Sequence, residues 1–129
     1  MKKPRIDEQA VVADGAVVLG DVTIEKDVSI WYNAVIRGDV NSISIGEGTN
    51  IQDLAVLHVD ADASLAIGKN VTIGHGAILH GCTIKDQAVI GMGAIVLNGA
   101  VIGKGSMIAA GALVLQNTVV PDGALYMGN

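Results

Sequence analysis

Aliphatic residues return every six positions along nearly the whole chain. An amphipathic helix would need an apolar spacing near 3.6 residues, which a strict period of six does not supply. A small or β-branched residue follows four places after each aliphatic position, for example Ala34, Val40, Ala61, Thr83 and Ala94. The pattern therefore indicates a hexapeptide repeat whose aliphatic positions are Ile6, Val12, Val18, Ile24, Ile30, Ile36, Ile45, Ile51, Leu57, Ile67, Ile73, Leu79, Ile84, Ile90, Val96, Ile102, Ile108, Val114 and Val120, with Tyr126 at the end.

The hexapeptide repeat predicts an all-β fold. Each aliphatic side chain can point into a narrow core while the small residue fits the corner beside it, and intervening Gly, Asp and Asn residues suit turns. Three hexapeptides make one triangular coil of a parallel β-helix, in which successive strands stack roughly 4.7 to 4.9 Å apart. The sequence predicts one such domain over residues 1–129, built from a single winding strand.

The period of six is broken at three places, and all three lie on the same side of the predicted triangle. Counting sides from Ile6, the breaks follow the third-side residues Ile36, Leu57 and Leu79. Three residues are added after the first, four are added after the second and one is missing after the third. One corner is therefore irregular in three successive coils, and irregular backbone on a rigid scaffold is where function concentrates.

The residue directly after each of these third-side aliphatic residues is polar or charged, namely Arg37, His58 and His80. Side chains alternate along a strand, so these three are predicted to form an outward ladder on which His58 and His80 can share an ion. His75 comes two places after the second-side residue Ile73 and belongs to another region of the triangle. A catalytic zinc site has three protein ligands and one open coordination position. His75 of a neighbouring chain could complete the site in a closed ring with three equivalent sites.

Histidines at these positions also have other uses, which the residues alone leave open. An exposed histidine is most often a solvated side chain, and a single histidine can serve as a general base in a hexapeptide acyltransferase or acyl-CoA thioesterase. A third alternative is a metal-stabilised trimer that acts as an assembly protein without turnover.

Composition narrows the classes of function. With no Phe, one Trp and two Tyr, the core must be built from Val, Ile, Leu and Ala. The net charge of −5, without a Lys/Arg cluster beyond the first five residues, argues against binding to nucleic acid or anionic membranes. Neither a signal peptide nor a membrane span is predicted. Cys82 is the single cysteine, so an intrachain disulfide is impossible and a reducing, cytoplasmic location is predicted.

Five runs of residues together resemble the γ-class carbonic anhydrases and their bacterial relatives, and the resemblance spans essentially the whole chain. The runs are Ile36-Arg37-Gly38-Asp39, Asn50-Ile51-Gln52-Asp53, Leu57-His58, Gly74-His75 through His80-Gly81-Cys82, and Ile90-Gly91-Met92-Gly93-Ala94.

The resemblance implies a left-handed β-helix that forms a homotrimer with a metal ion between subunits. The implied ligands are His58 and His80 from one chain and His75 from the next. The implied metal is zinc, although imidazole suits iron and cobalt equally. Neutral imidazoles leave the charge of the ion largely uncompensated, so bound water can ionise near pH 7. The resulting metal-bound hydroxide would carry out the reversible hydration of carbon dioxide to bicarbonate at the trimer interface.

The resemblance also assigns roles to four polar residues near the ligands. It implies that Arg37 and Asp39 form an ion pair at the subunit interface. Gln52 is implied to hydrogen-bond the metal-bound water, and Asp53 to support this polar cluster.

The chain departs from the family pattern in three respects. Val40 stands where the best-known member carries a proton-shuttling glutamate, and the loop at 58–64 is short, with only Asp60 and Asp62 as speculative substitutes. The family continues past the β-helix into a helix, which we expect to be missing from this chain because it ends at Tyr126-Met127-Gly128-Asn129. A missing shuttle affects the rate of turnover rather than metal binding.

Overall fold

A computed structural model describes residues 1–128, in which 18 strands and no helix occur. Along each face, parallel pairing joins equivalent strands of successive coils. This arrangement confirms the prediction of a β-helix. The left-handed sense of the coil stays a prediction. No helix in the described residues is both long enough and apolar enough to span a membrane.

The strands form three faces, which follow the three sides counted from the sequence. The second face is a seven-stranded sheet of β2 (Val11–Val12), β4 (Ser29–Ile30), β6 (Asn50–Ile51), β9 (Thr72–Ile73), β12 (Val89–Ile90), β15 (Met107–Ile108) and β18 (Leu125–Tyr126). The first face includes β1 (Arg5–Ile6), β8 (Leu65–Ile67), β11 (Thr83–Ile84), β14 (Val101–Ile102) and β17 (Val119–Val120). The third face includes β7 (Val56–His58), β10 (Ile78–His80), β13 (Ile95–Val96) and β16 (Leu113–Val114).

Two long strands run around the corner between the third and first faces and join them into one 11-stranded sheet. They are β3 (Val17–Ile24) and β5 (Val35–Ile45). Gly20 pairs with Gly38, but Val22 pairs with Ile43, so the register between the two strands shifts between Gly20 and Val22. The residues inserted in β5 therefore bulge outward at this corner while the aliphatic period resumes in register beyond it.

The core is a column of aliphatic side chains, as the period of six predicts. Residues such as Ile30, Ile51, Ile73 and Ile90 are fully buried and stack in register along the second face. Small residues fill the regular corners, where Ala34, Ala55, Ala77 and Ala94 are also fully buried. Each coil thus buries its inward residues against its neighbours, so the outward side chains are free to carry a site.

The predicted corner residues are wrong where the period breaks. Val40 and Ala61 are exposed and Thr83 lies in β11 with its side chain half-buried. The buried positions in these coils are taken by Ile43, Leu65 and Cys82. The bulge, the loop and the deletion shift the corner by several residues, so a count of four from the last aliphatic residue lands outside the core.

Candidate metal centre

His58 and His80 lie side by side on the third face, as the outward ladder predicts. They end β7 and β10, which pair in parallel with His58 opposite His80. The preceding residues, Leu57 and Leu79, are fully buried, so the alternation of the strand turns both imidazoles outward. The ring centroids lie 5.1 Å apart with the rings tilted by 71°. The aliphatic core therefore sets the position of the histidine pair.

The two rings point one nitrogen each toward a shared position. His58 Nδ1 lies 3.2 Å from His80 Nε2. The opposite nitrogen of each ring meets an oxygen: His58 Nε2 lies 2.8 Å from Asp39 Oδ1, and His80 Nδ1 lies 2.6 Å from Asn98 Oδ1. Carboxylate and amide oxygens accept hydrogen bonds, so each ring donates there, and the neutral form of each ring has its lone pair on the nitrogen that faces the other ring.

Two facing lone pairs fit a bound cation. In a tetrahedral zinc site with Zn–N distances of about 2.0 to 2.1 Å, two ligand nitrogens lie about 3.3 Å apart. The observed separation of 3.2 Å matches that spacing. The outer hydrogen bonds orient both rings so that the nitrogens facing each other are the ones available to a metal ion.

Asp39 links His58 to Arg37. Its Oδ2 accepts from Arg37 Nη1 at 2.8 Å while Oδ1 accepts from His58. The hydrogen bond from His58, supplemented by the positive charge of Arg37, holds the pKa of the Asp39 carboxyl below its ordinary value. The predicted pairing of Arg37 with Asp39 is thus present within one chain, and its place at a subunit interface stays a prediction.

His75 lies at a different corner, between the second and third faces. It follows β9 in a tight turn between Gly74 and Gly76, and its side chain is 56% exposed. A Cβ on Gly74 would lie 2.6 Å from the backbone nitrogen of Met92, so Gly74 is required for this turn, and Gly76 adopts a φ of 66°, which favours glycine. The exposed imidazole is therefore presented by a backbone that tolerates little variation.

The acidic and amide residues predicted for the site divide between the two corners. Asp53 belongs with His75, because its Oδ1 lies 3.8 Å from His75 Nε2 and Gly76 N donates to its backbone oxygen. Gln52 precedes Asp53 and its backbone nitrogen donates to Ile73 O, which places it at this same corner. Arg37 and Asp39 lie with the histidine pair instead. Within residues 1–128 no group of three or more His, Cys, Asp or Glu side chains could hold a metal ion.

The candidate residues therefore form two separate groups, which we call the first and second half-sites. The first, at the end of the third face, contains His58, His80 and Asp39 with Arg37 and Asn98; the second, at the next corner, contains His75 with Gln52 and Asp53. Asn98 was not foreseen from the sequence. Its position one coil along and one residue beyond the level of His80, given that Leu79 pairs with Val96, is the signal that could have found it.

Cys82 is a free thiol buried in the core. It is 1% exposed, and burial raises the pKa of its thiol from 9.0 to about 12. This rise cuts the thiolate fraction at pH 8 by roughly a thousandfold. We expect iodoacetamide to modify Cys82 at pH 8 at least about a hundredfold more slowly in the folded protein than in guanidinium chloride. Equal rates would show that Cys82 is accessible.

Comparisons with known proteins agree with this architecture. The family model described as bacterial transferase hexapeptide (six repeats) matches residues 81–116. The chain is 53% identical over 104 residues to gamma carbonic anhydrase 1, mitochondrial, of Arabidopsis thaliana, covering 75% of this chain and 38% of that protein. It is 45% identical over 97 residues to the carbonic anhydrase of Geobacillus kaustophilus, covering 75% and 53%. The chain thus spans less than two thirds of these relatives.

A solved structure covers more of its length. The hexapeptide transferase family protein from Anaplasma phagocytophilum superposes with a TM-score of 0.91 at 50% sequence identity, over 95% of this chain and 72% of that one. The fold, the histidine positions and these similarities have one common explanation. The chain belongs to the family of hexapeptide-repeat proteins, and over three quarters of its length it is similar to γ-class carbonic anhydrases.

Proposed function

We propose that the chain is the subunit of a metal-dependent carbonic anhydrase that hydrates carbon dioxide to bicarbonate reversibly. The observation that carries this proposal is the pair of facing nitrogens, His58 Nδ1 and His80 Nε2, whose rings are both oriented by acceptors on their far sides. The identity to proteins named carbonic anhydrases supports the reaction.

The third ligand is His75 of another copy of the chain. Two imidazoles from one half-site are one short of the three that a catalytic zinc site uses. His75 is exposed at its corner and accompanied by Asp53, so it is available to a neighbour. A cyclic trimer in which each first half-site meets the second half-site of the next chain creates three equivalent sites.

An apolar stripe beside the histidine pair supports this mode of assembly. One outward residue from each strand of the third face contributes to it, in register from coil to coil: Val17, Val35, Val56, Ile78, Ile95 and Leu113. Ile78 is 38% exposed and Leu113 is 42% exposed. The stripe is continuous with the proposed metal site, which is incomplete in one chain. A second copy of the chain would both cover the exposed apolar stripe and supply the missing ligand.

The residues around the ligands have separate tasks. Asp39 accepts from His58 and fixes its tautomer, while Arg37 holds Asp39 in place. Gln52 and Asp53 accompany His75 to the shared site, where the Gln52 amide can orient a water molecule. When bound, the cation would supply the Lewis acidity that lets a water molecule lose a proton near neutral pH and attack carbon dioxide as hydroxide. Zinc, iron(II) and cobalt(II) all suit three imidazoles.

The test is stopped-flow hydration of carbon dioxide by protein loaded separately with each of these three metals. We expect hydration above the buffer rate, lost on chelation and restored by added metal. A metal-loaded trimer without hydration activity across the pH range would contradict the proposed carbonic anhydrase activity. It would favour a metal-stabilised assembly protein, which needs no proton-shuttling glutamate at the position of Val40. Metal-independent consumption of acetyl-CoA would favour a hexapeptide acyltransferase instead.

A further inference from the structure

Asn98 connects His80 to a carboxylate in the irregular corner loop. Its Oδ1 lies 2.6 Å from His80 Nδ1, and its Nδ2 donates to Asp60 Oδ2 at 2.6 Å. The three side chains come from three successive coils, since Asp60 follows β7, His80 ends β10 and Asn98 follows β13. The result is a chain of two hydrogen bonds that runs from Asp60 through Asn98 to the ring of His80.

The direction of this chain is set at its Asp60 end. A carboxylate only accepts hydrogen bonds, so the Asn98 amide must turn its NH₂ group toward Asp60. Its carbonyl oxygen then faces His80 and can only accept from Nδ1–H. In the reversed amide orientation, two oxygens would face each other beside Asp60, and the NH₂ group would meet His80 Nδ1 as a competing donor.

Asp60 is itself held by the loop. Asp60 N donates to Ala63 O and Ala63 N donates to Asp60 O, both at 3.1 Å. From the insertion in β5, Asn41 Nδ2 reaches the loop as well, at 3.1 Å from Asp60 O and 3.0 Å from Ala61 O. The inserted residues after Ile36 and Leu57 thus fix an exposed carboxylate whose own side chain contacts no metal ligand.

We propose that Asp60 and Asn98 are positioning residues that hold His80 with its proton on Nδ1 and its Nε2 lone pair directed at His58 Nδ1. This inference rests on the proposed metal site and adds a purpose for two of the three breaks in the repeat. Asp39 has the equivalent task for His58, so both ligands of the first half-site are oriented from outside by a separate acidic residue. Neither Asp60 nor Asn98 touches the reacting atoms.

The test uses Asn98→Leu, which keeps the size of the side chain and removes both hydrogen bonds. Gln116→Leu is the matched control, because Gln116 is exposed and occupies the same place in the next coil. The zinc affinity is measured by competition with a chelating dye. The protonation of the His80 ring nitrogens is measured by ¹⁵N NMR in metal-free protein. Melting temperature and oligomeric state are recorded for every variant.

We expect Asn98→Leu to lower zinc affinity by roughly ten- to a hundredfold and to populate both His80 tautomers, with unchanged assembly. Gln116→Leu should change neither quantity. Asp60→Leu should resemble Asn98→Leu, and Asp60→Asn, which keeps an acceptor oxygen, should stay within about threefold of the wild type. This second pair decides the question if Asn98→Leu does not fold.

Unchanged zinc affinity in Asn98→Leu and Asp60→Leu would overturn the proposed positioning role of Asp60 and Asn98. A His80 ring that keeps its proton on Nδ1 in both variants would overturn it as well. Failure of the wild type to bind zinc would instead overturn the proposed function. In that case, the tautomer of His80 in the metal-free variants would decide whether Asp60 and Asn98 orient the ring.

Discussion

Replacement of His75 by alanine is expected to remove zinc as completely as replacement of His80, although the two residues lie at different corners of the chain. Each variant leaves two imidazoles where a catalytic zinc site uses three, so the zinc content after gel filtration should fall below about a tenth of the wild-type value. Carbon dioxide hydration should be lost with the metal. Elemental analysis and stopped-flow assays measure the two losses.

The matched control for His75 is Met92→Ala. Met92 occupies the same corner one coil later and is 60% exposed, with Gly93 N donating to His75 O between the two coils. It should retain full zinc content and activity. Zinc retained by His75→Ala at the wild-type level would mean that His58 and His80 complete their site without the second half-site.

Substitution of Ile78 by glutamate is expected to dissociate the trimer. Ile78 lies in the apolar stripe, one strand position from the buried Leu79 and two from His80. Burying an unpaired charge at three equivalent interfaces costs several kcal/mol for each carboxylate, which exceeds what a moderately sized interface can absorb. Sedimentation or light scattering should show monomers, and zinc should be lost with assembly because each chain keeps only half-sites.

Met107→Glu serves as the control for the charge itself. Met107 is also an outward residue of a two-residue strand, but it lies on the second face and is 49% exposed. This variant should remain trimeric and bind zinc. Dissociation by both variants would indicate a general loss of stability, and a trimeric Ile78→Glu protein would place the interface on another face.

Much of the fold and of the candidate site could be predicted from the sequence because position along a β-helix chain directly determines position in space. The period of six predicts most of the core residues, and the identical third-side register of Leu57 and Leu79 predicts that His58 lies beside His80, as it does in the structure. The same count separated His75 from them. Where the backbone follows the repeat, each residue can occupy only one position in the coil. A residue two places after an aliphatic position therefore lies at a corner that can be predicted.

The irregular corner could not be predicted in the same way. The path of the bulge after Gly38 and of the loop at 58–64 depends on hydrogen bonds such as those of Asn41, which have no periodic signature. The count therefore misplaced Val40, Ala61 and Thr83. Asn98 was missed for a related reason: it lies beyond the strand end, and its contact with His80 depends on Asp60 in the loop.

Mixed trimers of His75→Ala and His80→Ala test most directly whether the proposed metal site is shared between subunits. The two variants are expressed together with different affinity tags, and trimers that carry both tags are purified. A mixed trimer of either stoichiometry contains one interface where an intact His58–His80 pair faces an intact His75, and two interfaces that lack a ligand. We predict about one zinc ion per mixed trimer and about one third of wild-type activity, although each variant alone binds none. Mixed trimers as free of zinc as the parent variants would contradict the shared site.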